Sequence, residues 1–459
     1  MTAGAVIILL QFARRTKHII RHSKILSKHC YTKEMKTKLL IFGITGDLAK
    51  RKLLPALGQI IQTGEFNDLE IIGVSRQNVS VSSLVGEGEL ARKTSVFTMN
   101  LAAAADYERL RDYVALLPNE QLLAYFSVPP SAATQIVDFM GEAGINTPNV
   151  KLLFEKPFGI DYISAQEVIA RTARYYNEEQ IYRIDHYLAK EMAQNIVAFR
   201  GGNALLSTVW NRDSIDKIEI IASEKIGIEG RTNFYEQTGA LRDVVQGHLM
   251  QLLALTLMDI PDELDWNELP MLRLRALQAL QPVNPEQAIR AQYDTYQAEV
   301  ENRGSLTETF VYLRLQSNAP QWQDVPITLV TGKALSAKTT EIRLHFRRKH
   351  EAQSNVLTLH IQPNEGVEIE LFTKKPGYDR QFVPQKLAFS YPEDTILPDA
   401  YEQVLVDAIR SQKSLFTSSE EVLASWKILQ PVQDAWTMDS TPLSRYEKGS
   451  LHGSLISQH

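Results

Sequence analysis

One cysteine, Cys30, stands in a chain of 459 residues. That scarcity excludes an intramolecular disulfide, a cysteine-based zinc site and any Cys-x-x-Cys redox motif, and it fits a reducing, cytoplasmic location. No metal site is expected. No apolar run approaches the length of a membrane span. Positive charge is not in excess either: 49 Lys and Arg stand against 54 Asp and Glu, a formal net charge of -5. Such a balance gives no field suited to nucleic acid, so neither nucleic acid nor membrane is an expected partner. An anionic ligand would need a local basic pocket. Internal repeats and low-complexity tracts are also missing.

What is present is ordinary for a globular protein, with 44% hydrophobic and 22% charged residues. The length exceeds what one core usually holds, so two domains with a cleft between them are expected. Residues 1–34 differ from the rest, carrying seven Lys or Arg and one acid. Three readings compete for this leader: an organelle-targeting segment, a basic arm that touches a surface, and a translation start placed too far upstream. The last is preferred, because "MKTKLLIFG" opens at Met35 and folded-domain patterning begins there.

From Lys38 the order is strand, glycine turn, helix. Leu39 to Phe42 form an apolar run without alternation, as in a parallel strand covered on both faces, and a helix is expected to start near Gly46 or Asp47. "LEIIGVSR" (69–76), "QLLAYFSVPP" (121–130) and "NVKLLFEKP" (149–157) repeat the theme, with helix-like sequence between them. The first half therefore reads as an open parallel sheet built of βαβ units. In the second half the period changes to strict alternation, in "EIRLHF" (341–346), "NVLTLHI" (355–361) and "VEIELF" (367–372). This indicates antiparallel strands with one face buried. Helical sequence returns over 399–412 and 418–429, where Ser418 with Glu421 makes a capping box.

Gly43, Gly46 and Asp47 sit where a strand becomes a helix, a geometry that offers backbone N–H groups and a positive helix end to a phosphate. The G-x-x-G spacing alone fits a plain strand-to-helix turn equally well. Arg76, at the end of the second strand, favours a 2′-phosphate and hence NADP; its ordinary reading is a surface arginine. Lys156 in "FEKPFG" (154–159) ends another strand at the ligand-binding edge, unless it merely pairs with Glu155. In "RIDHYLAKE" (183–191) a helix is expected from Asp185 onward, with Asp185 as a possible N-cap. His186, Tyr187 and Lys190 would then project near its start, well suited to a phosphate dianion. His248 precedes an apolar helical run. Taken alone it is a structural histidine, but beside an NADP site it is a candidate base, with Asp185 as the orienting carboxylate.

These residues resemble the glucose-6-phosphate dehydrogenase family. The resemblance rests on "GITGDLAKRKLLPAL", "FEKPFG", "RIDHYLAKE", "WNRD", "EGR", "GALRDVVQGHLMQ", "GKAL", "QPNE", "TKKPG" and "LPDAYE", in the family's order from about Lys38 to Trp436. It implies a Rossmann-like dinucleotide-binding domain over 35–184. A β+α substrate and oligomerisation domain, with a large, mainly antiparallel sheet, would follow over 185–459. The implied reaction moves hydride from C1 of glucose 6-phosphate to NADP+, giving 6-phosphogluconolactone, the first step of the oxidative pentose phosphate pathway. By similarity His248 is the base and Asp185 its partner, and His186, Tyr187 and Lys190 hold the phosphate. Lys156 lies near the reacting carbon and the nicotinamide. Glu224 and Asp243 match sugar-hydroxyl ligands, Lys333 and Gln362 reach in from the sheet domain, and Lys338 stands near the sugar phosphate. Gly43, Gly46, Asp47 and Leu48 line the coenzyme turn with Arg76. A homodimer or homotetramer is implied. Two departures stand out: Ala189 replaces the usual glycine of the central motif, and Lys338 replaces a common arginine, keeping charge but losing the bidentate fork. The segment 262–330 is also shorter than typical. Competing readings are another NADP-linked sugar or sugar-phosphate dehydrogenase with a Glu-Lys-Pro turn, and a catalytically silent homologue.

Overall fold

The computed structural model describes residues 35–348, 354–392 and 395–457; the basic leader and Cys30 lie outside them. Two sheets organise the chain. The first contains β1 (Lys36–Phe42), β2 (Leu69–Ser75), β3 (Thr94–Thr98), β4 (Glu120–Phe126), β5 (Val150–Phe154) and β6 (Ile181–Ile184), all parallel to one another. Six of the seven residues of β1 are buried, because helices cover both faces of the sheet. Leu39 and Ile41 join the core on one face, Leu40 and Phe42 that on the other. That two-sided burial is why the strand shows no alternation.

The helices α1 (Leu54–Gln62), α2 (Pro130–Glu142) and α3 (Tyr162–Thr172) provide the cover. β1 lies between β2 and β4, so strand order reverses beside it. The crevice outside the carboxyl ends of β1 and β4 is therefore the place where such a sheet takes a ligand.

A turn and α4 (Glu191–Gly202) lead into the second sheet. Its strands are β7 (Ile215–Ser223), β8 (Ala288–Tyr293), β9 (Phe310–Leu315), β10 (Ile327–Gly332), β11 (Thr339–Phe346), β12 (Val356–Gln362), β13 (Gly366–Lys374), β14 (Phe382–Ser390) and β16 (Ser444–Tyr446). Pairing is antiparallel except for β7 with β10 and β8 with β16. Ile342 and Leu344 of β11 and Leu357, Leu359 and Ile361 of β12 enter one core with α4, α5 (Met250–Leu257) and α6 (Leu269–Gln278). The alternating residues Arg343, His345 and His360 are only partly buried. A one-sided sheet is what the alternation in these stretches predicts.

The chain then returns to the first sheet. α7 (Ala400–Ile409) opens on a capping box of Asp399 and Glu402 and packs its Val404, Leu405 and Ala408 with β1 and β6 residues. β15 (Phe416–Thr417) pairs antiparallel with β6 as a seventh strand. α8 (Ser419–Met438) opens on the Ser418–Glu421 capping box and runs well past the expected end at residue 429, through Pro431. It joins the two cores, contributing Val422 and Trp426 to one and Ile428, Leu429 and Val432 to the other.

Candidate active site

Strand ends bring the site together. Lys156 follows β5 and Asp185, His186 and Tyr187 follow β6, so all four emerge at the carboxyl edge of the first sheet. His248 lies near the end of a helical segment, Leu241–Leu249, wound in π-helical fashion; such wide turns recur at functional sites. From the second sheet, β7 and β10 run parallel with Ser223 opposite Gly332, which sets the next residues, Glu224 and Lys333, side by side as an ion pair. Thr340 pairs with both Ala222 and Gln362, so Gln362 falls on the same edge.

Asp185 is fully enclosed, and its Oδ1 accepts hydrogen bonds from His248 Nδ1 (2.7 Å) and from the Tyr187 backbone N–H (2.9 Å). Burial opposes the carboxylate's charge, but His248, Lys156 and His186 outweigh it and hold the group below its ordinary range. Burial also pushes His248 down, against the pull of Asp185. A carboxylate can only accept, so Nδ1 carries the proton and Nε2 keeps a free lone pair. The rings of Tyr187 and His186 lie 4.1 Å and 4.5 Å from that of His248. Burial and the neighbouring His248 hold His186 well below its usual value, and burial raises the Tyr187 phenol to about 12. Both therefore serve as neutral hydrogen-bonding groups at neutral pH. Gln362 Nε2 donates to the Tyr187 hydroxyl (3.1 Å).

Lys156 does not hydrogen-bond Glu155. Its Nζ donates to the Asp243 carbonyl (3.0 Å) across Gly247, where a β-carbon would stand 2.7 Å from that nitrogen. Glu155 instead accepts from the Tyr125 hydroxyl, and burial raises it to about 7. The Lys156–Pro157 and Gln362–Pro363 bonds are cis.

One expectation is corrected. No helix begins at Asp185; residues 185–190 form turns, and α4 starts at Glu191. Asp185 is not its N-cap, because its Oδ1 is engaged by His248 and Tyr187, while the Met192 N–H goes to Glu365 (3.0 Å). His186, Tyr187 and Lys190 thus sit in the tight turn before the helix. Ala189 points its methyl into the first core.

The coenzyme turn lies at the end of β1. Gly43 has φ +82°, and a β-carbon there would meet the Ser127 carbonyl at 2.4 Å, so only glycine fits this close approach. Gly46 caps back onto Gly43 (2.9 Å), and the helix begins at Asp47 and Leu48. Asp47 and Arg51 form an exposed pair. Arg76 is exposed directly beyond β2. This cradle suits the phosphates of a nicotinamide dinucleotide. Lys338 is exposed in the turn between β10 and β11, two residues before Thr340.

Residues the motifs did not assign also line the region. The Tyr401 ring lies 6.4 Å from His186, nearly parallel to it, and Lys52 Nζ stands 5.9 Å from the centre of the Tyr401 ring. Thr340 shares Gln362 with Tyr187. Tyr401 belongs to the "LPDAYE" stretch, but only the return of α7 to the first sheet puts it beside His186.

A parallel sheet with a glycine cradle at its switch point, abutting a buried carboxylate–imidazole pair, defines a nicotinamide-dinucleotide-dependent dehydrogenase. Family models described as glucose-6-phosphate dehydrogenase, NAD binding domain and C-terminal domain match residues 40–195 and 197–458, and the chain belongs to the glucose-6-phosphate dehydrogenase family. Glucose-6-phosphate 1-dehydrogenase of Chlamydia muridarum is 35% identical, over 90% of this chain and 93% of its own length. A solved glucose-6-phosphate dehydrogenase in complex with its substrate glucose-6-phosphate superposes with a TM-score of 0.86 at 28% identity, covering 92% of this chain and 97% of that one. The Mycobacterium avium enzyme's crystal structure gives 0.81 at 31% identity, covering 91% and 95%.

Proposed function

We propose that the chain oxidises the C1 hydroxyl of D-glucose 6-phosphate to 6-phospho-D-glucono-1,5-lactone, with NADP+ as the coenzyme. The observation that carries this reading is the His248–Asp185 pair beside a turn bearing His186, Tyr187 and Lys190. Asp185 fixes the imidazole tautomer so that Nε2 takes the proton from the C1 hydroxyl, and its charge stabilises the imidazolium that forms. Lys190 supplies charge to the sugar phosphate, while His186 and Tyr187 supply hydrogen bonds. Glu224, Asp243, Lys333 and Gln362 orient the sugar, and Lys338 adds positive charge to the phosphate site. Lys156, fixed against the Asp243 carbonyl, bridges the reacting carbon and the coenzyme. Gly43, Gly46, Asp47 and Leu48 receive the pyrophosphate, and Arg76 the 2′-phosphate. When bound, the oxidised nicotinamide supplies the hydride acceptor.

In this reading residues 35–184 carry the coenzyme and 185–459 the substrate, in a cytoplasmic protein. Among the described residues no helix is long and apolar enough to cross a membrane. Leu371, Leu387 and Phe389, exposed at the β13–β14 end of the second sheet, support a homodimer or homotetramer. The test is steady-state NADPH formation with glucose 6-phosphate, glucose and other sugar phosphates, each with NADP+ and NAD+. Turnover strongest with glucose 6-phosphate and NADP+ is expected; equal use of unphosphorylated glucose would overturn the substrate, and a preference for NAD+ the coenzyme.

A further inference from the structure

Asp185 has two carboxylate oxygens, and only one is accounted for. Oδ1 holds His248 and the Tyr187 N–H, whereas Oδ2, in a residue 1% exposed, has no hydrogen-bond partner among the protein groups. An unpaired oxygen on a buried carboxylate is costly. Asp185 borders a cavity of about 10 Å³, lined also by Gly247, Gln251, Lys156, Phe158 and Ser425 among others. Two of these carry the same defect. Ser425 Oγ on α8 and Gln251 Oε1 on α5 are unpartnered, in side chains 1% and 2% exposed.

The three orphaned atoms have complementary needs. A carboxylate oxygen and an amide oxygen accept, while a hydroxyl can donate. All three residues line the one cavity, so a water there would find two acceptors, Asp185 Oδ2 and Gln251 Oε1, and one donor, the Ser425 hydroxyl. That is the usual complement of about three bonds for a buried water, in a space of about the volume one requires. Gly247 borders the same space: a β-carbon there would stand 2.7 Å from Lys156 Nζ and 3.3 Å from Oδ2.

We propose that Ser425 is a positioning residue for the dehydrogenase reaction, holding a buried water against Asp185 Oδ2 and so fixing the plane of the carboxylate that orients His248. With both oxygens anchored, the carboxylate cannot turn about its Cβ–Cγ bond, and its Oδ1 stays aligned with His248 Nδ1. The C-terminal helix is thereby coupled to the base without approaching the substrate. The same helix braces the neighbouring turn, where Gln433 Nε2 donates to the Ile160 carbonyl (2.8 Å).

The inference rests on His248 being the base, so His248→Asn is measured alongside. A crystal structure showing buried waters is expected to place one within hydrogen-bond distance of Asp185 Oδ2 and Ser425 Oγ. Ser425→Ala is expected to lower kcat roughly 3- to 10-fold, the effect of one hydrogen bond. KM for glucose 6-phosphate and coenzyme should stay within about twofold, and Ser425→Thr, which keeps the hydroxyl, should retain most of the activity. An empty cavity overturns the proposal, as does unchanged kcat in Ser425→Ala or a loss that merely follows thermal stability. If His248→Asn keeps full turnover, the base assignment itself fails. If it loses turnover while Ser425→Ala does not, only the positioning role fails.

Discussion

Burial lowers the imidazole of His248 from its ordinary value of 6.5, with Asp185 pulling the other way. As pH falls through the lowered value, Nε2 takes a proton and the base is lost; above it the lone pair is free. The acid limb of kcat/KM is therefore expected below pH 6.5, and a limb above that value would remove His248 from the role. Asp185→Asn withdraws the raising influence, so the limb should move further down while turnover drops. His248→Asn should cut kcat by roughly 10² or more with little change in substrate binding. Lys190→Ala should raise KM for glucose 6-phosphate about 10- to 150-fold, the scale of a charge-assisted contact. The poor use of glucose should stay unchanged; equal loss on both sugars would make Lys190 structural. Gly43, Arg76, Lys156 and Asp185 were legible as a group because each lies at a strand end. Tyr401, Tyr125 and Gly247 were not. The first two meet their partners only after distant segments pack, and the need for glycine at 247 arises from the position of Lys156.

Elements read unevenly for a related reason. β11, β12 and β13 alternate because one face meets helices, and their pattern is local. β7, the middle strand of the second sheet, was hidden: Ile218 and Ile220 enter the main core while Ile221 enters a separate cluster on the other face, which breaks the alternation. β15, two residues long, is too short to carry any period. The turn over 185–190 looked helical because Leu188, Met192 and Ile196 are all buried in one core, although only the last two lie in α4. At the end of β2, Arg76→Ala should weaken NADP+ roughly tenfold or more and leave NAD+ nearly unaffected, as measured by KM. Equal weakening of both would place Arg76 elsewhere. Between α6 and α8, Arg273 is wholly buried and bonds Glu421 (2.8 Å) and the carbonyls of Ser414 and Phe416. Replacing it with Met leaves Glu421 buried and unpaired, so denaturant unfolding should show a loss of roughly 3–5 kcal/mol.

At the scale of the whole molecule, the chain lays down six strands of the first sheet, then most of the second, and then returns to the first through α7, β15 and α8. That return matters while the chain is being made. Phe416 closes the edge of β6 by pairing with Ile184, and its ring packs at 4.7 Å against Tyr182. During synthesis, β6 leaves the ribosome long before its last neighbour exists. The nascent first sheet must wait with an open strand edge and an uncovered apolar face, the combination that invites association with other chains. A fragment ending at residue 184 should accordingly aggregate where the full chain does not, as sedimentation would show; a monodisperse fragment would mean that the sheet stands without its seventh strand. Holding the last strand of the coenzyme sheet so late makes completion of that sheet wait until all but one strand of the second sheet has been made.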